Sequence, residues 1–297
     1  MKRVAMLGLL GLFALGMPAQ AAEPWEQAVA AAIGKPGTEM PGGVYRIGLP
    51  RSDLKVTLDG VAVKPALALG SWLAFVGHGN SQVMVMGDLV LTDTEVNPVM
   101  AKLIAGGIEI TALHNHLLRN TPHTMYMHIA GHGDPAQLAK LLHDALALSD
   151  TPLSAPPAAA SPAPEPLDLD IAALDRILGY KGKIGGGVDA FSIPRAEAPR
   201  DDGMALPPAM GAAIAINFQP TGGGKAAITG DFVLTAAEVN PVLRALRENG
   251  IEVTALHNHM LNDEPRIFFM HLWANDDAQK LARGLAAALS HVAVAKS

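Results

Sequence analysis

Two imidazoles two residues apart, followed a dozen residues later by a third, occur twice in this chain of 297 residues: His114, His116 and His128, then His257, His259 and His271. Side chains at i and i+2 of a strand share a face. Each trio therefore has the spacing of a metal site on a β-hairpin, with two nitrogens from one strand and a third from its neighbour. Clustered neutral imidazoles in a partly dry site suit a divalent metal. The chain has no cysteine, which excludes disulfides and thiolate zinc sites and leaves His, Asp, Glu, Met or backbone oxygen as ligands.

The text around the histidines is also copied, at a constant offset of 143 residues. Ile108-Glu-Ile-Thr-Ala-Leu-His114-Asn115-His116 returns as Ile251-Glu-Val-Thr-Ala-Leu-His257-Asn258-His259. Gly87-Asp88 matches Gly230-Asp231, and Glu95-Val-Asn-Pro98 matches Glu238-Val-Asn-Pro241. Upstream, Ile47-Gly-Leu-Pro-Arg51 answers Phe191-Ser-Ile-Pro-Arg195 more weakly. Asp88 and Asp231 follow a glycine inside an apolar strand pattern, where an unpaired carboxylate is costly to bury. Each is a candidate fourth ligand, or the partner that orients a ligand histidine.

Glu95 and Glu238 are also candidate ligands or general bases. However, Thr92-Asp-Thr-Glu95 and Thr235-Ala-Ala-Glu238 read as capping boxes, which already account for both carboxylates. His78, His123, His132 and His143 have no counterpart in the second copy and read as surface or loop residues. Met125, Met127 and Met270 would suit Cu(I), but methionine in a strand is most often core filler, so zinc or iron is expected ahead of copper. Strand parity places Ile108, Ile110, Ala112, His114 and His116 on one face.

The elements that must position these groups read as β-β-α-β-β-α in each half: strands near 71–76 and 82–91, a helix ending by Gly106-Gly107, strands 108–116 and 124–130, and a helix 135–148. Asn97-Pro98 and Asn240-Pro241 suggest a short turn before the main helix. The expected fold is α+β, two homologous repeats, each a mainly antiparallel sheet with helices on one face and ferredoxin-like character. The expected organisation is a signal peptide over 1–21, a first repeat over 22–148, a Pro/Ala-rich linker over 149–168 and a second repeat over 169–297.

Lys2 and Arg3, an apolar run to Met17 and Ala19-Gln-Ala21 form the pattern of a cleaved secretory signal. The apolar run is too short to span a membrane, and no cysteine offers a lipid anchor. Without Lys2 and Arg3 the 22 basic residues become 20 against 28 acidic ones, a net charge of −8, which argues against nucleic acid and anionic membranes as partners. A soluble periplasmic or secreted protein is expected, with no membrane anchor after cleavage and with its protein or small-molecule partner unspecified.

The segment from His257 to His271, with Gly230-Asp231 and Glu238-Val-Asn-Pro241, resembles the LppY/LpqO family of exported bacterial proteins, which carry a domain of unknown function, often duplicated. The resemblance implies export and duplication, without an activity. Three functions stay open: divalent-metal binding through a His-x-His...His site in each repeat, metal-dependent hydrolysis using the same histidines, and a non-catalytic interaction module in which the histidines are structural.

Overall fold

The computed structural model describes residues 23–79, 81–154 and 166–296, so the signal pattern and most of the Pro/Ala-rich segment lie outside the described residues. The fold is α+β, with mainly antiparallel sheets. Each half forms one six-stranded sheet, and the strand order is the same in both. In the first half the order is Thr38–Met40, Val44–Pro50, Gly70–Gly77, Val83–Thr92, Thr124–Gly133, Glu109–His114. In the second it is Lys183–Gly185, Val188–Pro194, Ala213–Gly222, Lys225–Thr235, Ile267–Asp277, Glu252–His257.

The strand Val83–Thr92 is buried at nearly every position, because both faces of its sheet are covered. Val83, Val85, Leu89 and Leu91 point into a core shared with the helices Asp93–Ala105 and Pro135–Leu146, where Val99, Leu103, Leu142 and Leu146 meet them. Met84 and Met86, of opposite parity, join a core made mostly of second-half residues. The two sheets therefore face one another, with helices outside, and Asp88 shares the inward parity of Met84 and Met86. At Gly87 an added Cβ would come within 2.9 Å of the Trp72 carbonyl oxygen, and at Gly230 within 2.9 Å of that of Ala215. This close approach explains why each buried aspartate follows a glycine.

Both capping boxes form, at Thr92 with Glu95 and at Thr235 with Glu238. The expected turn before the main helix is absent. Asp93–Ala105 and Ala236–Glu248 run continuously through Pro98 and Pro241, each forgoing one i→i−4 bond, a loss the cap and the packing of the helix outweigh. The carboxylates have a further task. Arg51, fully buried, donates from Nη1 and Nη2 to both oxygens of Glu95 and from Nη1 to the Val90 carbonyl. Arg195 grips Glu238 and the Val233 carbonyl in the same way. The repeated Pro-Arg thus ties the strand Val44–Pro50 to the helix N-terminus. The Asp150 amide also donates to Glu95, and Leu153 packs on the first core.

Burial opposes ionisation of Glu95, but Arg51 and the backbone amides outweigh it and hold the carboxyl below its usual range. Arg51→Ala is expected to strand that carboxylate and cost about 3–5 kcal/mol in urea unfolding. Its metal content per folded chain should match that of the unaltered protein, since Glu95 is committed to the arginine.

Candidate metal centre

The strand reaching His114 is bulged. Ile110 lies opposite Ile129 and Ala112 opposite His128, so Thr111 is an extra residue. Val253 and Ala255 repeat this against Leu272 and His271, with Thr254 as the extra residue. A bulge shifts parity by one. Ile108 and Ile110 therefore pack toward the helices, while Ala112 and His114 turn toward the other sheet, correcting the single apolar face expected from simple alternation. The bulge also frees a backbone carbonyl. Asn115 Nδ2 donates to the Thr254 carbonyl at 3.2 Å, and Asn258 Nδ2 to that of Thr111 at 3.3 Å. Each His-Asn-His segment is thus fastened to the bulge of the opposite half. Thr254 Oγ1 adds a bond to the His116 carbonyl.

The six histidines meet between the sheets rather than forming two remote sites. His114 stacks on His257 with ring centroids 3.4 Å apart, His116 on His271 at 3.6 Å, and His128 on His259 at 3.7 Å. Tyr126 and Phe269, at equivalent positions, cover His116 and His259, each at 3.4 Å. The result is two stacks of three rings flanking a central pair, related by the pseudo-twofold of the repeat.

Donor atoms converge in two sets, one of His114, His116 and His128, the other of His114, His257, His259 and His271. Within each set they lie no more than 4.8 Å from one another. Asp88 approaches Nε2 of His116 and of His128 at 3.9 Å, and Asp231 approaches Nε2 of His259 at 3.8 Å. These spacings are too long for hydrogen bonds but close to those between ligands that each sit about 2.1 Å from one ion. All eight residues singled out by spacing are therefore together.

The electrostatics match. Burial drives all six imidazoles toward the neutral form, His114 down to about 3 and His257 to about 4. His116, His128, His259 and His271 are also held well below their ordinary value by burial and by one another. Burial pushes Asp88 up to about 7, partly offset by Arg46, and pushes Asp231 well up, with Asp88 adding to the effect. Nδ1 of His114, His257 and His271 lies 3.0–3.2 Å from the carbonyl oxygens of Asn115, Asn258 and Gly230. That assigns the proton to Nδ1 and leaves the lone pair on Nε2.

All six Nε2 atoms, with Oδ1 of Asp88 and Asp231, are sealed from solvent without a hydrogen-bond partner among the described residues. At about 1–3 kcal/mol for each such group, six imidazoles alone oppose folding by roughly 10 kcal/mol, comparable to the whole stability of an ordinary domain. A divalent cation accepting those lone pairs, with the aspartates ionised beside it, removes the penalty.

The remaining candidates fall away from the centre. Glu95 and Glu238 are held by arginines. Met125, Met127 and Met270 pack toward the helix-side cores, so the three thioethers on which the Cu(I) expectation rested are turned away from the imidazoles. His123 pairs with Asp93 at the surface. Sequence reading missed Tyr126, Phe269, Arg46 and Trp72 around the site. The first two were legible as an aromatic pair at the repeat offset.

Without metal, the neutral rings set the acid response. Stability held by a depressed imidazole is full above its ordinary 6.5 and is lost as pH falls toward the folded value, near 3 for His114. Asp88 acts oppositely, full below 3.8 and lost as pH rises through about 7. With six rings against two carboxylates, the thermal midpoint of chelator-treated protein should fall steadily from pH 7 to 5, less steeply in His114→Leu/His257→Leu. A flat or rising midpoint would show that the rings are not buried neutral.

The family described as Domain of Unknown Function (DUF1259) matches residues 27–148 and again 172–291. No curated protein matches the chain. Solved structures similar to it include a trimeric bacterial microcompartment shell protein, PduB, at 12% identity over 84% of this chain and 88% of that one, with a TM-score of 0.20. EtuB from Clostridium kluyveri is 10% identical over 86% of this chain and 89% of its own, also with a TM-score of 0.20. At that TM-score neither bears on fold or function.

Proposed function

The chain belongs to the DUF1259 family, carrying its domain twice, and on that premise we propose that it binds divalent metal at the contact between its two repeats. The observation that carries this reading is six imidazoles whose ligand atoms converge, each with a sealed Nε2 that has no partner among the described residues, beside the buried Asp88 and the half-buried Asp231. With His114, which lies in both converging sets, assigned to its own repeat, the ligands divide as His114, His116, His128 and Asp88 against His257, His259, His271 and Asp231. Each set of three imidazoles and one carboxylate suits one zinc or iron ion, so the capacity is two ions per chain. Structural histidines in a plain interaction module would have their nitrogens used by backbone or pointing apart, which the convergence argues against.

A metal-dependent hydrolase is the second reading. It is favoured by a cavity of about 280 Å³ that reaches Asp88, Asp231, His116 and His271. There the histidines would hold a metal able to activate water, and Asp88 or Asp231 would take up the proton. Export belongs to the same proposal. It rests on the N-terminal pattern, and N-terminal sequencing of exported protein is expected to begin at Ala22. Ferredoxin-like character of each half is likewise our reading, supported by the β-α-β-β-α run from Val83–Thr92 to Pro135–Leu146, whose third strand lies between the other two, and by its counterpart in the second half.

Elemental analysis of tag-free protein prepared without chelator tests the metal directly. Two equivalents of one divalent metal are expected, lost in His114→Ala/His257→Ala. Absence of metal, together with no uptake at micromolar concentration, would contradict the proposal and return the histidines to a structural role.

A further inference from the structure

The repeats preserve the ligands and differ in the walls beside them. Trp72 lies opposite Asp88 in the sheet register, where the second half sets Ala215 opposite Asp231. Arg46 in the strand Val44–Pro50 is answered by Ala190 at the same register position. One side of the centre therefore carries a guanidinium and an indole, and the other is cut back to methyl groups. The space between them is the cavity of about 280 Å³ and an adjoining cleft of about 480 Å³, both of which reach Arg46, Trp72, Asp88 and Asp231.

Arg46 is set up to receive an anion. Its guanidinium carbon lies over Trp72, 4.1 Å from the ring centroid, and Nη1 donates to the Ala209 carbonyl at 2.8 Å. No carboxylate of the described residues lies within 4 Å of it, and Nε and Nη2 have no acceptor among those residues. That leaves the edge of the fork that grips a carboxylate through two parallel bonds. Burial lowers Arg46 to about 10, so it stays cationic at neutral pH.

Charge balance points the same way. Two divalent ions against Asp88 and Asp231 leave an excess of two positive charges, and Arg46 adds a third. The other cavity walls include Leu67, Leu117 and Leu272, and the polar side chains beside them, Asn217, Thr229 and Tyr126, already donate to the carbonyls of Leu67 and Ala68, which favours carbon over a phosphate's need for further donors. A volume of about 280 Å³, at roughly 30 Å³ per water, is room enough for a small molecule beside Arg46.

We propose that this chamber binds a small organic monocarboxylate, gripped by Arg46 stacked on Trp72 and lying against the metal centre. The inference rests on the metal reading and deepens it by naming the ligand class of the same site. It makes the two repeats unequal, with shared metal-binding residues and one anion-binding wall.

Calorimetric titration of the zinc-loaded full chain with butyrate, with inorganic phosphate as the comparison, tests it after metal content has been measured on the same sample. Butyrate is expected to bind, phosphate at least tenfold more weakly. Arg46→Ala should weaken butyrate at least tenfold with zinc content unchanged, and Arg46→Lys, which keeps the charge without the fork, should fall between. Should the alanine variant not fold, the lysine variant decides: affinity equal to that of the unaltered protein overturns the proposal. Zinc-loaded protein that takes no butyrate, takes it equally without Arg46, or prefers phosphate also overturns it. Failure of the metal reading would appear separately, as zinc missing before any carboxylate is added.

Discussion

Six uncharged imidazoles whose Nε2 atoms have no partner among the described residues are the constraint on which this molecule depends. Removing them from water opposes folding on the scale of a domain's whole stability, yet two sheets are closed over them. The structure is organised around that closure. The bulges at Thr111 and Thr254 rotate the histidine strands inward, the asparagine between the histidines fastens each half to the other's bulge, and Tyr126 and Phe269 roof the outer rings. A cation held by these imidazoles would offset that cost.

The contact between halves is also held away from the histidines. Thr229 Oγ1 and Asn217 Nδ2 both donate to the Leu67 carbonyl, and Gln219 joins the backbone at Ala62 and Lys64. Arg119 bridges Asp59 of its own half to Glu252 of the other, and Trp273 Nε1 donates to Asp59. These bonds lie outside the ring stacks. They give the two sheets a fixed separation, so the imidazoles are placed by the scaffold rather than by one another.

Much of the site was legible because its chemistry is written in spacing. His-x-His with a third histidine on the paired strand, and Gly-Asp in an apolar strand, name all eight residues, and the capping boxes correctly absorb Glu95 and Glu238. The meeting of the two trios was not legible, since no local pattern says which faces of two sheets will pack. Nor was the bulge, because the residues flanking Thr111 alternate as in a plain strand and only pairing with His128 reveals the extra one. Pro98 misled for a related reason, as tertiary packing carries a helix across a position that local rules would break. Arg46 and Trp72 escaped because they belong to one copy, and a search for what repeats overlooks what does not.

Where a metal sits in the loaded protein decides the role of the six imidazoles. Anomalous diffraction at the zinc edge from crystals of zinc-loaded protein locates it without reference to activity. Two peaks between the sheets, one bonded by His114, His116, His128 and Asp88 and the other by His257, His259, His271 and Asp231, are the predicted result. No peak between the sheets, with zinc found only at surface residues such as His123 and Asp93, would contradict it.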